Sequence, residues 1–117
     1  MIQSINNISI SFIIPYYNGK KYISQCIKSI CEQDIFDIEY EILVINDCST
    51  DNSLDCVNDL KLMHPNIKII NHTTNKKQGG ARNTGIQNAR GKYIWFIDQD
   101  DYIKKGSIKK KLYIAES

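Results

Sequence analysis

The sequence predicts an α/β fold, a Rossmann-like, open, mainly parallel sheet with helices on both faces. Three observations lead there. Short runs of β-branched and aromatic residues alternate with stretches of helical periodicity along the chain. The connections between them are only a few residues long. The strand-like runs are apolar on successive residues rather than on every second one, as in strands buried on both faces of a parallel sheet.

Residues 8–14 form the first predicted strand, and Pro15 is expected to end it. Beyond Tyr16, Tyr17, Asn18 and Gly19, the apolar Ile23, Cys26, Ile27 and Ile30 recur at i, i+3, i+4 and i+7. That is the stripe of a helix laid on a core, with Asn18 as its expected N-cap. Residues 40–45 repeat the buried-strand pattern and run into a polar turn, Asn46, Asp47, Cys48, Ser49 and Thr50. Asp51 or Ser53 is then expected to cap a second helix that points Leu54, Val57 and Leu60 inward and stops before Pro65. Residues 67–70 make a third, shorter strand. A polar loop over 72–80 leads into a helix at 81–90, closed by Gly91 in the left-handed conformation. Residues 92–97 are the fourth strand, and Ser107 opens a last helix with Ile108 and Leu112 on one side.

With 117 residues, 42% hydrophobic and 24% charged, the chain is expected to be one domain or part of one. Fifteen Lys and Arg against 13 Asp and Glu leave a net charge of +2, far from the basic balance that would make nucleic acid the default partner. The longest apolar runs, 42–45 and 93–97, fall far short of the ~20 residues a membrane-spanning helix needs. The first nine residues carry no basic cluster followed by an apolar core, so no secretory signal is expected. The four cysteines contain no C-x-x-C pair, and His64 and His72 are not spaced to complete a zinc site. Reduced thiols and a cytoplasmic location are therefore expected.

In sheets of this kind, ligands bind beyond the carboxyl ends of the strands, at a switch in strand order. Two of those ends carry acids. Asp98, Asp100 and Asp101 put three carboxylates into four residues directly behind the fourth strand. Like charges this close repel unless a cation neutralises them, and a hard divalent ion such as Mg²⁺ or Mn²⁺ is the simplest one; the alternative is a solvated Asp-rich turn. An EF-hand loop from Asp98 fails, because Ile103 and Lys109 stand where Gly and Glu are required. Neither G-x-G-x-x-G after the first strand nor the Lys-Ser/Thr of a P-loop after Gly79-Gly80 is present. Asp47 can meet a ribose hydroxyl or cap the following turn. Arg82 can neutralise a diphosphate or be a surface cation, and Gly79 and Gly80 can admit a ligand or only let the loop turn.

Together these segments resemble the N-terminal half of family 2 glycosyltransferases, which have the nucleotide-sugar-binding GT-A fold. The resemblance rests on Ser11-Phe12-Ile13-Ile14-Pro15-Tyr16-Tyr17-Asn18, Val44-Ile45-Asn46-Asp47-Cys48-Ser49-Thr50-Asp51, Gly80-Ala81-Arg82-Asn83-Thr84-Gly85-Ile86 and Tyr93-Ile94-Trp95-Phe96-Ile97-Asp98-Gln99-Asp100-Asp101, in that order, and covers residues 9–103. It implies that Asp98 and Asp100 form a D-x-D element, one carboxylate near the ribose and the other on a divalent metal, Mn²⁺ or Mg²⁺, bridging the donor diphosphate. Asp101 extends that metal cluster. It also implies that Asp47 contacts the uracil or ribose, that Pro15 and Tyr17 line the nucleotide pocket, and that Arg82 lies near the base or diphosphate. Asn46 and Cys48 depart from the family's Asp-Asp-Gly-Ser, and Cys48 argues against a positive-φ turn there.

The activity so implied is transfer of a sugar from a nucleotide-diphosphate sugar, a UDP-sugar, to an acceptor hydroxyl with inversion, in polysaccharide or cell-surface glycan synthesis. A noncatalytic nucleotide-binding domain of the same fold is the alternative. The family's catalytic base lies downstream of the D-x-D element, so residues 1–117 are read as an incomplete, donor-binding part of the catalytic domain, with the acceptor-binding part missing. Lys104, Lys105, Lys109, Lys110 and Lys111 make the last segment basic. It reads as a solvated helix face, with contact to anionic lipid at the inner membrane face, where a glycan or lipid-linked acceptor would sit, as the second reading.

Overall fold

The computed structural model describes residues 8–35 and 37–116. Most of the segment inspected for a secretory signal, residues 1–7, lies outside them. Along the chain come β1 (Ile10–Tyr16), α1 (Ile23–Cys31), β2 (Tyr40–Asn46), α2 (Ser53–Met63), β3 (Ile67–Asn71), α3 (Lys77–Asn88), β4 (Tyr93–Phe96) and α4 (Ser107–Glu116). Among the described residues the strands form one sheet in the order β3-β2-β1-β4, and its ladders are parallel. The chain winds outward from β1 to β3 and then returns to the other side of β1. The switch in strand order therefore falls between β1 and β4.

The buried runs seen in the sequence are this central pair. Every residue of β1 is buried, as are 41–46 of β2. Alternate side chains then serve two layers. Phe12, Ile14, Ile42 and Val44 pack with Ile23, Cys26, Ile27 and Ile30 of α1, Val57 and Leu60 of α2, and Ile108 of α4. Ile13, Leu43 and Ile45 face the opposite way, onto Ala81 of α3. α3 is a polar helix that buries only Ala81 and Gly85. It docks by closeness rather than by apolar bulk: a Cβ on Gly85 would stand 2.4 Å from Ile13 Cγ2.

Several local expectations are corrected. Pro15 does not end β1; it pairs with Ile45, and the strand runs on to Tyr16. The Ile13 carbonyl accepts the Ile97 amide on the β4 side. Alternation puts the missing N–H of Pro15 on that same side, past the last β1–β4 pair, Ile13 with Phe96, where no ladder bond is lost. Asn18 caps no helix, because α1 starts at Ile23 and the Gly19 carbonyl takes the amides of Tyr22 and Ile23. The cap expected for α2 is also corrected: Asn52 is the N-cap and makes no side-chain cap bond, while Asp51, one residue earlier, accepts the Ser53 amide at 3.1 Å. α3 begins at Lys77 rather than 81 and ends at Asn88, so Gly79 and Gly80 lie inside it. One long-range and one local bond fix that start, the Lys76 amide donating to Asp47 Oδ1 at 2.7 Å and the Lys77 amide to Asn75 Oδ1, two residues back, at 2.8 Å. Gly91 is not left-handed; a Cβ there would stand 2.6 Å from the Ser11 nitrogen, so close passage over β1 is what demands glycine.

β4 lies at one end of the strand order. Its Trp95 is half-buried under α4, where Lys111 Nζ sits 4.9 Å from the ring centroid, and the Tyr93 hydroxyl donates to the Ala115 carbonyl. On its other face Ile94 and Phe96 remain 42% and 40% exposed. No helix among the described residues is long and apolar enough to cross a membrane.

One buried ion ties the sheet to the α3–β4 connection. Glu41 Oε2 accepts the Ser11 hydroxyl at 2.6 Å and the Arg90 amide at 2.7 Å, while Lys68 Nζ reaches Oε1 at 3.1 Å. Burial alone would raise the Glu41 carboxyl, but these three partners outweigh it and hold it below its ordinary value of 4.5. A depressed carboxylate contributes stability that is complete above the unfolded pKa and is lost as pH falls through the folded one. Urea denaturation should therefore show Glu41→Gln less stable by about 2 kcal/mol at pH 7. It should also show a shallower loss of stability than the parent between about pH 5 and pH 3.

Candidate functional site

At the carboxyl edge of the sheet, the loops after β1, β2 and β4 meet the start of α3 around a cavity of about 510 Å³. Pro15, Tyr16 and Tyr17 wall it from β1, Asp47 from β2, Asp98, Gln99 and Asp100 from β4, and Asn75, Lys77, Gln78 and Ala81 from α3 and its approach. Of the sequence-predicted residues, Pro15, Tyr17, Asp47, Asp98 and Asp100 are thus brought together. Arg82 and Asp101 line a neighbouring cavity of about 340 Å³ on the far side of Asp98.

Asp47 is 4% exposed and firmly held. Its Oδ1 takes the Lys76 amide at 2.7 Å and faces His72 Nδ1 at 2.8 Å, while His72 Nε2 meets Thr84 Oγ1 of α3 at 2.8 Å. Burial would raise the Asp47 carboxyl, yet the Lys76 amide and the His72 ring overcome it and leave it below the usual carboxylate range. The carboxylate is therefore ionised and locked in direction.

The β4 acids stand in the open. Asp98 Oδ1 accepts from Gln78 Nε2 at 3.2 Å and lies 3.8 Å from the Arg82 guanidinium. That pair is half-exposed and contributes little to stability. Arg82 also covers the Phe96 ring, 5.7 Å from its centroid. Asp101 Oδ1 accepts the Tyr102 amide and faces the smaller cavity. Among the described residues no three His, Cys, Asp or Glu side chains converge. Asp98 and Asp100 remain as two carboxylates on one cavity, a donor set that suits a hard divalent cation whose other ligands are phosphates and water. Cys26 sits beneath them, its thiol 3.6 Å from the Asp98 carbonyl. Burial first, and then the charges of Asp101, Asp100 and Asp98, push that thiol up to about 12. With Cys31 raised to about 11 by burial, neither is a thiolate at neutral pH.

The loops are joined to one another by polar bonds. Asn18 Oδ1 accepts the amides of Thr50 and Asp51 at 2.7 and 3.2 Å, and the Asn18 amide donates to Ser49 Oγ. Among the described residues Asn18, Cys48 and Lys77 are the non-glycine residues with positive φ, at 50, 67 and 64°, and all three belong to the cavity's walls or their loops. Cys48 corrects the sequence expectation: the turn keeps the left-handed conformation despite its side chain. Sequence reasoning missed His72, Lys77, Gln78 and Gln99. Lys77 sits at the N-terminus of α3, where a cation and the unpaired helix amides favour an anion. That basic residue before Gly79-Gly80 was its one visible signal.

The family model of glycosyl transferase family 2 matches residues 11–116. The chain is 43% identical over 97 residues to poly(ribitol-phosphate) beta-glucosyltransferase of Bacillus spizizenii, covering 82% of this chain and 15% of that protein. It is 38% identical over 100 residues to poly(ribitol-phosphate) beta-N-acetylglucosaminyltransferase TarS of Staphylococcus aureus, covering 85% of this chain and 17% of TarS. The chain thus spans about a sixth of these relatives' length. The crystal structure of S. aureus TarS 1–349 with UDP-GlcNAc superposes with a TM-score of 0.87 at 34% identity, over 93% of this chain and 31% of that one. The mannosyltransferase PcManGT of Pyrobaculum calidifontis, with GDP-Man and Mn²⁺, gives 0.74 at 26% identity, over 80% of this chain and 28% of that one.

The left-handed turn at Cys48 can be tested by stability alone. Cys48→Gly removes the steric cost of positive φ and should leave the urea midpoint unchanged or raise stability by up to about 1 kcal/mol. Cys48→Val, β-branched in the same conformation, should lower it by about 1–2 kcal/mol.

Proposed function

Because the chain belongs to glycosyl transferase family 2 and has its GT-A fold, we propose that the cavity between Tyr17, Asp47 and the Asp98–Asp100 turn binds the nucleotide diphosphate of a sugar donor, with a UDP-sugar as the substrate. The observation that carries this reading is the meeting of a locked, ionised Asp47, a paired-carboxylate turn and a helix N-terminus across one cavity. The TarS structures with UDP and with UDP-GlcNAc support the choice of uridine nucleotide.

In this reading Asp47, with Oδ1 already engaged, offers its other oxygen to a ribose hydroxyl or a base N–H. Pro15 and Tyr17 flank the base. The α3 amides and Lys77 stabilise the diphosphate charge from the side opposite the acids. Asp100, with Asp98, would hold Mn²⁺ or Mg²⁺, which when bound offsets negative charge on the diphosphate; the Mn²⁺ complex of PcManGT supports that role. Asp101, directed to the neighbouring cavity, is assigned outside this pair and beside Arg82.

For the whole protein the reading is transfer of the sugar to an acceptor hydroxyl with inversion, in cell-surface polysaccharide synthesis on a glycan or lipid-linked acceptor. The proton-accepting base is assigned to none of the cavity residues, and residues 1–117 act as the donor-binding part. A reducing, cytoplasmic setting at the inner membrane face is part of the proposal, supported by four free cysteines.

Thermal shift tests the site directly. UDP with Mn²⁺, at about a hundredfold over the dissociation constant, should stabilise the chain by about 2.7 kcal/mol, while either alone gives little. The gain should vanish in Asp100→Ala. Stabilisation by UDP that persists without metal, or in Asp100→Ala, contradicts the assignment.

A further inference from the structure

Gln99 stands between Asp98 and Asp100 in the chain, and its carboxamide meets the main chain of Tyr17 twice. The Tyr17 amide donates to Oε1 at 2.7 Å, and Nε2 donates to the Tyr17 carbonyl at 3.2 Å. With a side chain, this reproduces the two-bond exchange of paired strands. It does so beyond the point where β1–β4 pairing stops, at Ile13 and Phe96. Gly19 makes the room: a Cβ there would stand 2.9 Å from Gln99 Oε1 and 3.1 Å from its carboxamide carbon. Its φ is not positive, so space rather than conformation fixes glycine at this buried position.

We propose that Gln99 is a positioning residue for nucleotide binding, latching the Tyr17 wall of the cavity to the Asp98–Asp100 turn. The proposal rests on the nucleotide reading above. The 17–22 loop is tied on its other side to the β2 loop through Asn18 and through the Lys20 amide, which donates to Asp51. Losing Gln99 therefore frees only the side toward β4, and the core beneath is untouched. What changes is the spacing between the surface that meets the base and the carboxylates that meet the diphosphate end. A binding site held to a fraction of an ångström loses affinity when one wall drifts.

The test is a double-mutant cycle on the full chain with two readouts: hydrogen exchange at the Tyr17 amide, and UDP affinity by calorimetry at saturating Mn²⁺. Gln99→Met keeps length without the two polar atoms. Gly19→Ala drives the carboxamide away while leaving it intact. Each should speed Tyr17 exchange and weaken UDP binding about tenfold, equivalent to about 1.4 kcal/mol, with the melting temperature nearly that of the parent. In a Gln99→Ala background, Gly19→Ala should cost nothing further, because the group it displaces is gone. Unchanged Tyr17 exchange, UDP affinity within about twofold of the parent, or independent effects of the two substitutions would each overturn the latch. A parent chain that binds no UDP at all overturns the nucleotide reading instead, and Tyr17 exchange still decides whether the latch exists.

Discussion

The site exists because β1 is paired unequally on its two sides. It matches β2 over seven residues, from Ile10 with Tyr40 to Tyr16 with Asn46, but β4 over only four, ending at Ile13 with Phe96. Past Ile13 the strand keeps one neighbour and loses the other. The crevice this opens lies at the reversal of strand order, and Pro15, which has no N–H to leave unsatisfied, occupies the unpaired edge. A polar side chain from the loop after β4, Gln99, then substitutes for the missing ladder, and the cavity fills the remaining space.

The electrostatics divide along the same line. On the fully paired side Asp47 is buried and its charge is stabilised by an amide and an imidazole. On the opened side Asp98 and Asp100 are exposed, with one carboxamide and one distant guanidinium nearby. One side thus presents a fixed acceptor and the other a pair of charges that keeps its water until something replaces it. The raised Cys26 thiol below Asp98 belongs to the second side, its proton retained partly by those same charges.

Legibility in the sequence followed the range of the forces involved. β1 and β2 were readable because burial on both faces writes a continuous aliphatic run, as in 42–45, and α1 was readable from Ile23, Cys26, Ile27 and Ile30. α3 was not, because it packs through Ala81 and Gly85, and its start is fixed by Asp47, 29 residues before Lys76. Asp47, Asp98 and Asp100 could be proposed from their place behind strands. His72 and Gln99 could not, since their partners lie 25 and 82 residues away and neither residue type announces one. Asn18 was assigned the local task its type favours, while the fold gave it a distant one, with Thr50 and Asp51. Cys48 shows the same contest between tertiary bonds and residue preference, decided against preference.

The edge position of β4 has a consequence for handling. Among the described residues β4 pairs with β1 alone, and an edge of this kind, with Ile94 and Phe96 only partly shaded, is a template on which another extended segment can add. Arg82, lying over the Phe96 ring, is a cationic gatekeeper at one end of that border. Self-association of the purified chain through this border is therefore expected. Concentration and ionic strength become variables to control during crystallisation or spectroscopy.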